Sequence, residues 1–115
     1  MSVTTIQIPA DHVAAIRASL IGRRDEGYCV DAIDGLLGQL PSGDRSASQH
    51  CALTGSRALL WSAVYDSLCA AAEQLAEDCN EYWRGTVTPD SARAGIAVVG
   101  TRLELLVGLG PPPGR

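Results

Sequence analysis

The longest helical pattern in the chain is SASQHCALTGSRALLWSAVYDSLCAAAEQLAEDCNEY, residues 46–82. Apolar side chains recur there at steps of three and four, which places them on one face of an α-helix. They are Leu60, Val64, Leu68, Ala71, Leu75, Cys79 and Tyr82. At about 1.5 Å per residue, a helix of this length reaches roughly 50 Å, which is longer than one small core can cover. The pattern therefore predicts a long central helix whose apolar face is partly buried by a second copy of the chain.

The sequence Thr88-Pro89-Asp90 is a helix start signal, with Thr as N-cap, Pro in the first helical position and an acid in the first turn. Helical spacing continues after it in Ile96, Val99, Leu103 and Leu106. Three glycines and an alternating run near the end of this segment leave a strand over residues 96–107 as the alternative. The signal favours a helix.

At the start of the chain, apolar and polar side chains alternate instead of recurring at helical spacing. Residues 3–8, VTTIQI, alternate and are rich in β-branched side chains, and Pro9 ends the run, so a short strand is predicted. Its partner is either another segment of this chain or the same strand of a second subunit. In the second case Ile6 and Ile8 would lie at the interface.

Helical spacing then returns over residues 11–40, but residues 22–27 interrupt it with two glycines and a shift of phase. We expect one helix kinked at the glycines, with two helices joined by a turn as the alternative. Residues 41–44, PSGD, predict a loop.

These elements predict one all-α domain over residues 1–115, an antiparallel bundle of three to four helices with one long central helix and a short N-terminal β-strand. Residues 1–9 form the strand and arm. Residues 108–115 contain three consecutive prolines and predict an exposed polyproline-type tail. A chain of this length buries about two-thirds of its unfolded surface.

The composition and charge of the chain argue against nucleic-acid and membrane partners. The net charge is −4, which opposes binding to nucleic acid or anionic lipid. No stretch approaches the roughly 20 apolar residues of a membrane span, and the start lacks a signal-peptide pattern, so we expect a cytoplasmic protein. All nine basic residues are Arg and Phe is absent, which indicates a GC-rich, bacterial coding background.

Candidate residues for metal binding or catalysis are His12, His50 and the cysteines, but their spacing fits no known site. The cysteines are Cys29, Cys51, Cys69 and Cys79. No C-x-x-C or H-x-x-x-H occurs, nor a nucleophile elbow or phosphate-binding loop. We expect reduced cysteines, most of them buried as small apolar residues. No catalytic, metal or cofactor residue is assigned, no cofactor is expected, and an enzyme is disfavoured without being excluded.

The large aromatic residues are the candidates for interface anchors, because Trp and Tyr are enriched among residues that dominate binding energy. Four of them lie at or near the ends of the central helical pattern: Trp61, Tyr65, Tyr82 and Trp83. Because they lie at helical spacing with the apolar stripe, they are also consistent with packing in the hydrophobic core. The sequence thus predicts a non-catalytic helical protein that self-associates, most simply as a dimer, and presents a surface to a protein partner.

Residues 5–40 resemble the ribbon-helix-helix DNA-binding proteins. In that family a strand pairs with its two-fold mate and places alternate polar side chains, here Thr5 and Gln7, in the major groove. The resemblance implies two helices after the strand, at about residues 11–24 and 29–40, joined by a glycine-containing turn. A DNA-binding regulator that uses the N-terminal strand is therefore an alternative function.

The chain departs from that family where DNA would be contacted. The strand has no Arg or Lys, and the second helix would begin with Cys29, Val30 and Asp31 rather than with phosphate-binding residues. A helical protein that binds a small ligand or a metal is a second alternative.

Overall fold

The computed structural model describes residues 3–40 and 50–113 of the chain. In chain order the elements are β1 (Val3–Ile8), a 3-10 turn (Ala10–His12), α1 (Val13–Asp25), α2 (Val30–Gln39), β2 (Cys51–Ser56), α3 (Arg57–Trp83) and α4 (Pro89–Gly108). The protein is mostly helical, as the sequence predicts. The all-α description is only approximate, because the described residues also contain a two-stranded sheet that contributes to the core.

Strand β1 finds its partner within the same chain. It pairs antiparallel with β2, so that Thr5 lies opposite Thr54 and Ile8 opposite Cys51. The hydroxyl oxygens of the threonine pair are 2.7 Å apart. On the inner face of the sheet, Ile8 and Leu53 are fully buried. Of the two partners that the sequence allowed for β1, the structure uses another segment of the chain.

The central helix is shorter than the predicted span of 46–82. Residues 51–56 form β2, and α3 begins at Arg57, while residues 46–49 lie outside the described part of the chain. The reason is the alternation in CALTGS, which turns Leu53 into the core when the segment is extended. Pairing with β1 and this burial outweigh the weak helical pattern before residue 57.

Gln39, the last residue of α2, protects the edge of β2 that faces away from β1. Its side-chain amide donates from Nε2 to the carbonyl oxygen of Thr54 at 2.8 Å, and the Thr54 N–H donates to Oε1 at 2.8 Å. The amide thus makes the same pair of hydrogen bonds that a neighbouring strand would make at this residue.

The helical region before residue 40 is two helices, so the expected single kinked helix is wrong. α1 ends at Asp25 and α2 begins at Val30. Between them Gly27 has φ of 88° and Cys29 has φ of 44°, both in the left-handed region. A right-handed helix cannot continue through such residues, so the chain turns there.

The start of α4 follows its predicted signal. The Thr88 hydroxyl accepts a hydrogen bond from the Ser91 N–H at 3.3 Å, and Pro89 occupies the first turn. The segment 96–107 lies within this helix, which confirms helix over strand. At the start of α3, the Ser56 hydroxyl caps the helix in the same way.

The core lies at one end of the molecule. The sheet, α1, α2 and the first half of α3 enclose it, and the buried residues of α3 all fall between Leu60 and Ala71. Beyond Ala71, α3 packs mainly against α4, so residues 72–83 and the first half of α4 form a helical hairpin that we call the distal hairpin. The molecule accordingly measures 50 × 36 × 26 Å.

The described part of the C-terminal tail is held against α3. The Arg57 Nη1 donates to the carbonyl oxygens of Leu109 at 2.9 Å and Pro111 at 2.6 Å, and the Trp61 indole N–H donates to the Gly110 carbonyl at 3.3 Å. Arg57 and Trp61 thus hold the start of the tail, where Leu109 is buried, while Pro111 and Pro112 are exposed as the sequence predicts. Residues 114–115 lie outside the described chain.

Gly55 allows β2 to approach α2 closely. A Cβ at this position would lie 2.7 Å from Cδ2 of the buried Leu36. We therefore expect Gly55→Ala to lower the free energy of unfolding by about 1–3 kcal/mol through overpacking. In the matched control, Gly35→Ala in α2, the new Cβ meets nothing within 4 Å. That variant should gain up to about 1 kcal/mol. Urea denaturation of both variants tests the contact, and equal effects would contradict it.

Candidate functional site

The predicted aromatic anchors lie in two places. Trp61 is half-buried and stacks on Tyr65, with ring centroids 5.0 Å apart and planes at 16°. Its indole N–H is already bonded to the C-terminal tail, so Trp61 serves this chain's own packing. Tyr82 and Trp83 lie at the tip of the distal hairpin. Trp83 is 90% exposed and is the most open large apolar side chain in the described chain.

The strand residues also divide into two groups. Ile8 is fully buried and Ile6 is half-buried against the core, so both contribute to the chain's own interior. Thr5 and Gln7 lie on the opposite, exposed face of the sheet. Thr5 is hydrogen-bonded to Thr54, and no residue on this face of the two strands carries a charge. The sheet therefore offers polar side chains but no basic group for phosphate.

Helix α4 carries an exposed apolar stripe that the sequence analysis did not identify as a surface. Ile96 is 59% exposed, Leu103 48% and Val107 70%. Their spacing of seven and four residues keeps them on one side of the helix. Gly100 lies between them, and the space where its side chain would be is empty. The spacing was visible in the sequence, but only the packing of α3 shows that this side faces solvent.

Two opposite charges flank the stripe. Arg93 lies toward the start of α4, where Nη1 is 3.2 Å from the Asp90 carboxylate in an exposed pair. Glu104 lies eleven residues further on, also exposed. Between them, the described side chains on the exposed face of α4 are apolar or glycine.

The buried polar cluster around Arg102 is the second notable feature of α4. The Arg102 side chain reaches across α3 toward the start of α1: Nε donates to Nδ1 of His12 at 3.2 Å and Nη1 donates to the Ser67 carbonyl at 2.8 Å. Arg102, His12 and Ser67 are all buried. One guanidinium thus connects three separate parts of the chain, a role that no sequence motif indicates.

The cluster holds His12 in its neutral form. Burial lowers the pKa of His12 from the usual 6.5, the Arg102 charge lowers it further, and Asp11 partly opposes both. Protonation would also place a proton on the nitrogen that accepts from Arg102. Burial lowers the pKa of Arg102 as well, but a guanidinium stays charged at neutral pH.

The ion pair between Arg23 and Asp66 lines a shallow cleft with Tyr28. Arg23 donates to both carboxylate oxygens, at 2.6 and 3.1 Å, and its guanidinium lies 5.9 Å from the centroid of the Tyr28 ring. This bidentate ion pair joins α1 to α3, and the hydrogen bond to Asp66 raises the pKa of Arg23. Since each charge is compensated, the arrangement is structural.

The prediction that most of the cysteines are buried is wrong, although Cys51 packs against the core. Cys29 and Cys79 are exposed, and Cys51 and Cys69 are half-buried. Cys29 lies in the turn between α1 and α2, and Cys79 lies in the distal hairpin, where α3 has little core to face.

Residues 3–40 and 50–113 contain no group of three or more His, Cys, Asp or Glu side chains placed to hold a metal ion. In the same ranges, every helix is too short or too polar to cross a lipid bilayer. The features that stand out in these residues are the stripe on α4 and the buried polar cluster around Arg102.

The neutral state of His12 predicts a pH-dependent stability. Because its pKa is lower in the folded than in the unfolded chain, the unfolded chain binds more protons, and stability falls as pH drops below about 6.5. His12→Asn keeps an acceptor for Arg102 but does not titrate. We expect urea midpoints at about pH 7.5 and about pH 5.5 to differ less in this variant than in the wild type. His50→Asn, at an exposed histidine, is the control, and an unchanged pH dependence in His12→Asn would contradict the assignment.

In the described part of the chain, one strand is followed by two helices, and this order occurs twice: β1, α1 and α2, then β2, α3 and α4. The geometry of this arrangement places an apolar stripe on the outer face of α4 and a buried guanidinium on its inner face. Comparison of the chain with protein-family models, with curated proteins and with solved structures finds no match.

Proposed function

We propose that this protein is a non-catalytic interaction module that forms a homodimer through the exposed stripe of α4. The observation that carries the proposal is the stripe itself: Ile96, Leu103 and Val107 are each about half or more exposed on one side of the helix. Apolar side chains that line up on a surface helix mark interaction sites more often than scattered ones do.

The occupant of the stripe is a second copy of the chain, because the stripe is complementary to itself. If two α4 helices cross antiparallel near Gly100, Ile96 of one copy lies beside Leu103 of the other, and the reverse contact follows from the two-fold axis. The missing side chain at Gly100 allows the two backbones to approach closely at the crossing point.

The flanking charges support the same antiparallel arrangement. Arg93 and Glu104 lie on either side of the centre, so Arg93 of one stripe, which also pairs with Asp90, meets Glu104 of the other. A parallel arrangement would place like charges together at both ends. The pairing thus explains why Arg93 and Glu104 lie where they do.

One helix face is a small interface compared with the roughly 800 Å² per partner of a standard one. We therefore expect a dimer with a dissociation constant in the micromolar range, which corresponds to a binding free energy of about −8 kcal/mol. Trp83 and Tyr82 are exposed at the tip of the distal hairpin, at the start of the turn into α4, and are candidates for contacts with a further protein partner.

Leu103→Glu tests the stripe directly. It places a carboxylate in the centre of the proposed interface of each copy, and we expect the dissociation constant to rise at least about 100-fold. The matched control is Ala94→Glu, an exposed residue of α4 about 160° around the helix from Ile96. Sedimentation equilibrium or native mass spectrometry of both variants measures the effect. A wild-type protein that is monomeric at about 50 μM would refute the proposal.

Charge reversal tests the antiparallel arrangement. Arg93→Glu and Glu104→Arg should each weaken the dimer by about three- to tenfold, because each change creates like-charge contacts at both ends. The double variant should restore the wild-type affinity, and the single effects should shrink at high salt. A double variant weaker than either single one would exclude this arrangement.

A further inference from the structure

Helices α3 and α4 leave a groove between them where the core meets the distal hairpin. Its volume is about 250 Å³. Apart from Arg102 and the polar Gln74, its walls are formed by small or apolar residues: Ala70, Ala71, Leu75, Gly95 and Val98. A side chain at Gly95 would start 3.0 Å from Cδ1 of Leu75, so the glycine keeps this part of the groove open.

Arg102 forms one end of the groove and is only 9% exposed. Within the described residues, its two hydrogen bonds go to neutral acceptors, His12 and the Ser67 carbonyl. No carboxylate in the described residues pairs with it, in contrast to Arg23, Arg24, Arg84 and Arg93. Within residues 3–40 and 50–113, Arg102 is therefore a buried charge without a counter-ion.

One guanidinium nitrogen of Arg102, Nη2, remains without a hydrogen bond to the described residues. Those residues contain no buried side-chain nitrogen or oxygen without a partner. Nη2 must therefore be accessible, and the groove is the space that Arg102 lines. A guanidinium binds carboxylates strongly in such surroundings, because the charge is already desolvated.

We propose that this groove binds a small organic carboxylate with a short apolar chain, whose carboxylate pairs with Arg102 and whose chain lies along Leu75 and Val98. The Arg102 charge and the apolar walls of the groove both fit a ligand of this kind. Leaving a buried charge unpaired is unfavourable, and an incoming carboxylate removes that penalty. The apolar walls then favour a ligand with a hydrocarbon chain over a small inorganic anion.

The electrostatics fix the orientation of the ligand. At the Gly95 end of the groove, Oδ2 of Asp78 lies 3.6 Å from the position of a Gly95 side chain. A carboxylate would be repelled there and attracted at Arg102. The groove is also smaller than the roughly 300 Å³ at which sites for drug-sized ligands begin, which restricts the ligand to a short chain.

The site does not depend on self-association, because it faces α3 whereas the stripe of α4 faces solvent. Leu103→Glu should therefore abolish the dimer and leave ligand binding unchanged. Each proposal can fail without the other.

Octanoate is the probe, and titration calorimetry with the full chain is the measurement. We expect octanoate to bind at least about tenfold more tightly than 1-octanol, which lacks the charge, or acetate, which lacks the chain. Octanoate should also raise the melting temperature and shift the NMR methyl signals of Leu75 and Val98. Equal binding of octanoate and 1-octanol, or no binding of octanoate at millimolar concentration, would overturn the proposal.

Two variants test the residues. Arg102→Gln should remove the preference for octanoate over 1-octanol. Because Arg102 also connects elements of the fold, a second variant leaves it intact. Ala70→Leu fills the groove from an exposed position of α3 and should lower the affinity for octanoate at least about tenfold. Ala72→Leu, exposed on α3 but outside the groove, is the matched control. Equal affinities of Ala70→Leu and Ala72→Leu would place the ligand elsewhere.

Discussion

The pairing of β1 with β2 is the constraint on which the rest of the structure depends. It joins the first residues of the chain to the residues just before α3, so that α1 and α2 must fold back within the intervening segment. Ile8 and Leu53, contributed by the two strands, then form one wall of the core. Because the sheet fixes the core at the start of α3, the far half of that long helix packs mainly against α4. The exposed surfaces of the distal hairpin follow from this asymmetry.

The inner face of α4 shows how a buried charge can be structural and still remain available. Arg102 contributes the only buried side chain of α4, and its hydrogen bonds hold α4 against α3 and the start of α1. A leucine would fill the same position without the penalty of desolvating a charge. Retaining a guanidinium there gives the groove a specific chemistry. It also makes the junction of three elements sensitive to the protonation of His12.

Much of the helical structure could be predicted from the sequence, because it depends on local patterns. The periodicity of α3 and the cap formed by Thr88 and Pro89 are decided within a few residues, and the structure follows both. β2 could not be predicted in this way, since its partner lies about fifty residues away and its own alternation is short. The glycines at 22 and 27 indicate a break in the helix, but whether the chain kinks or turns there depends on packing. The candidate sites depend on tertiary contacts: nothing near Arg102 in the sequence indicates His12, and the exposure of Leu103 depends on which side of α4 meets α3.

The amide of Gln39 has a consequence for how the sheet behaves at high concentration. Sheets polymerise without limit only when every chain offers two open edges, one to receive a strand and one to extend the row. In this protein the Gln39 side chain already satisfies the central backbone groups of β2. Growth of the sheet through β2 would first require that amide to be displaced. Two chains can therefore join through their β1 edges, but the outer edges of that pair are both β2, and no further strand is added. A single glutamine at the end of a helix thus protects a two-stranded sheet against fibrous assembly.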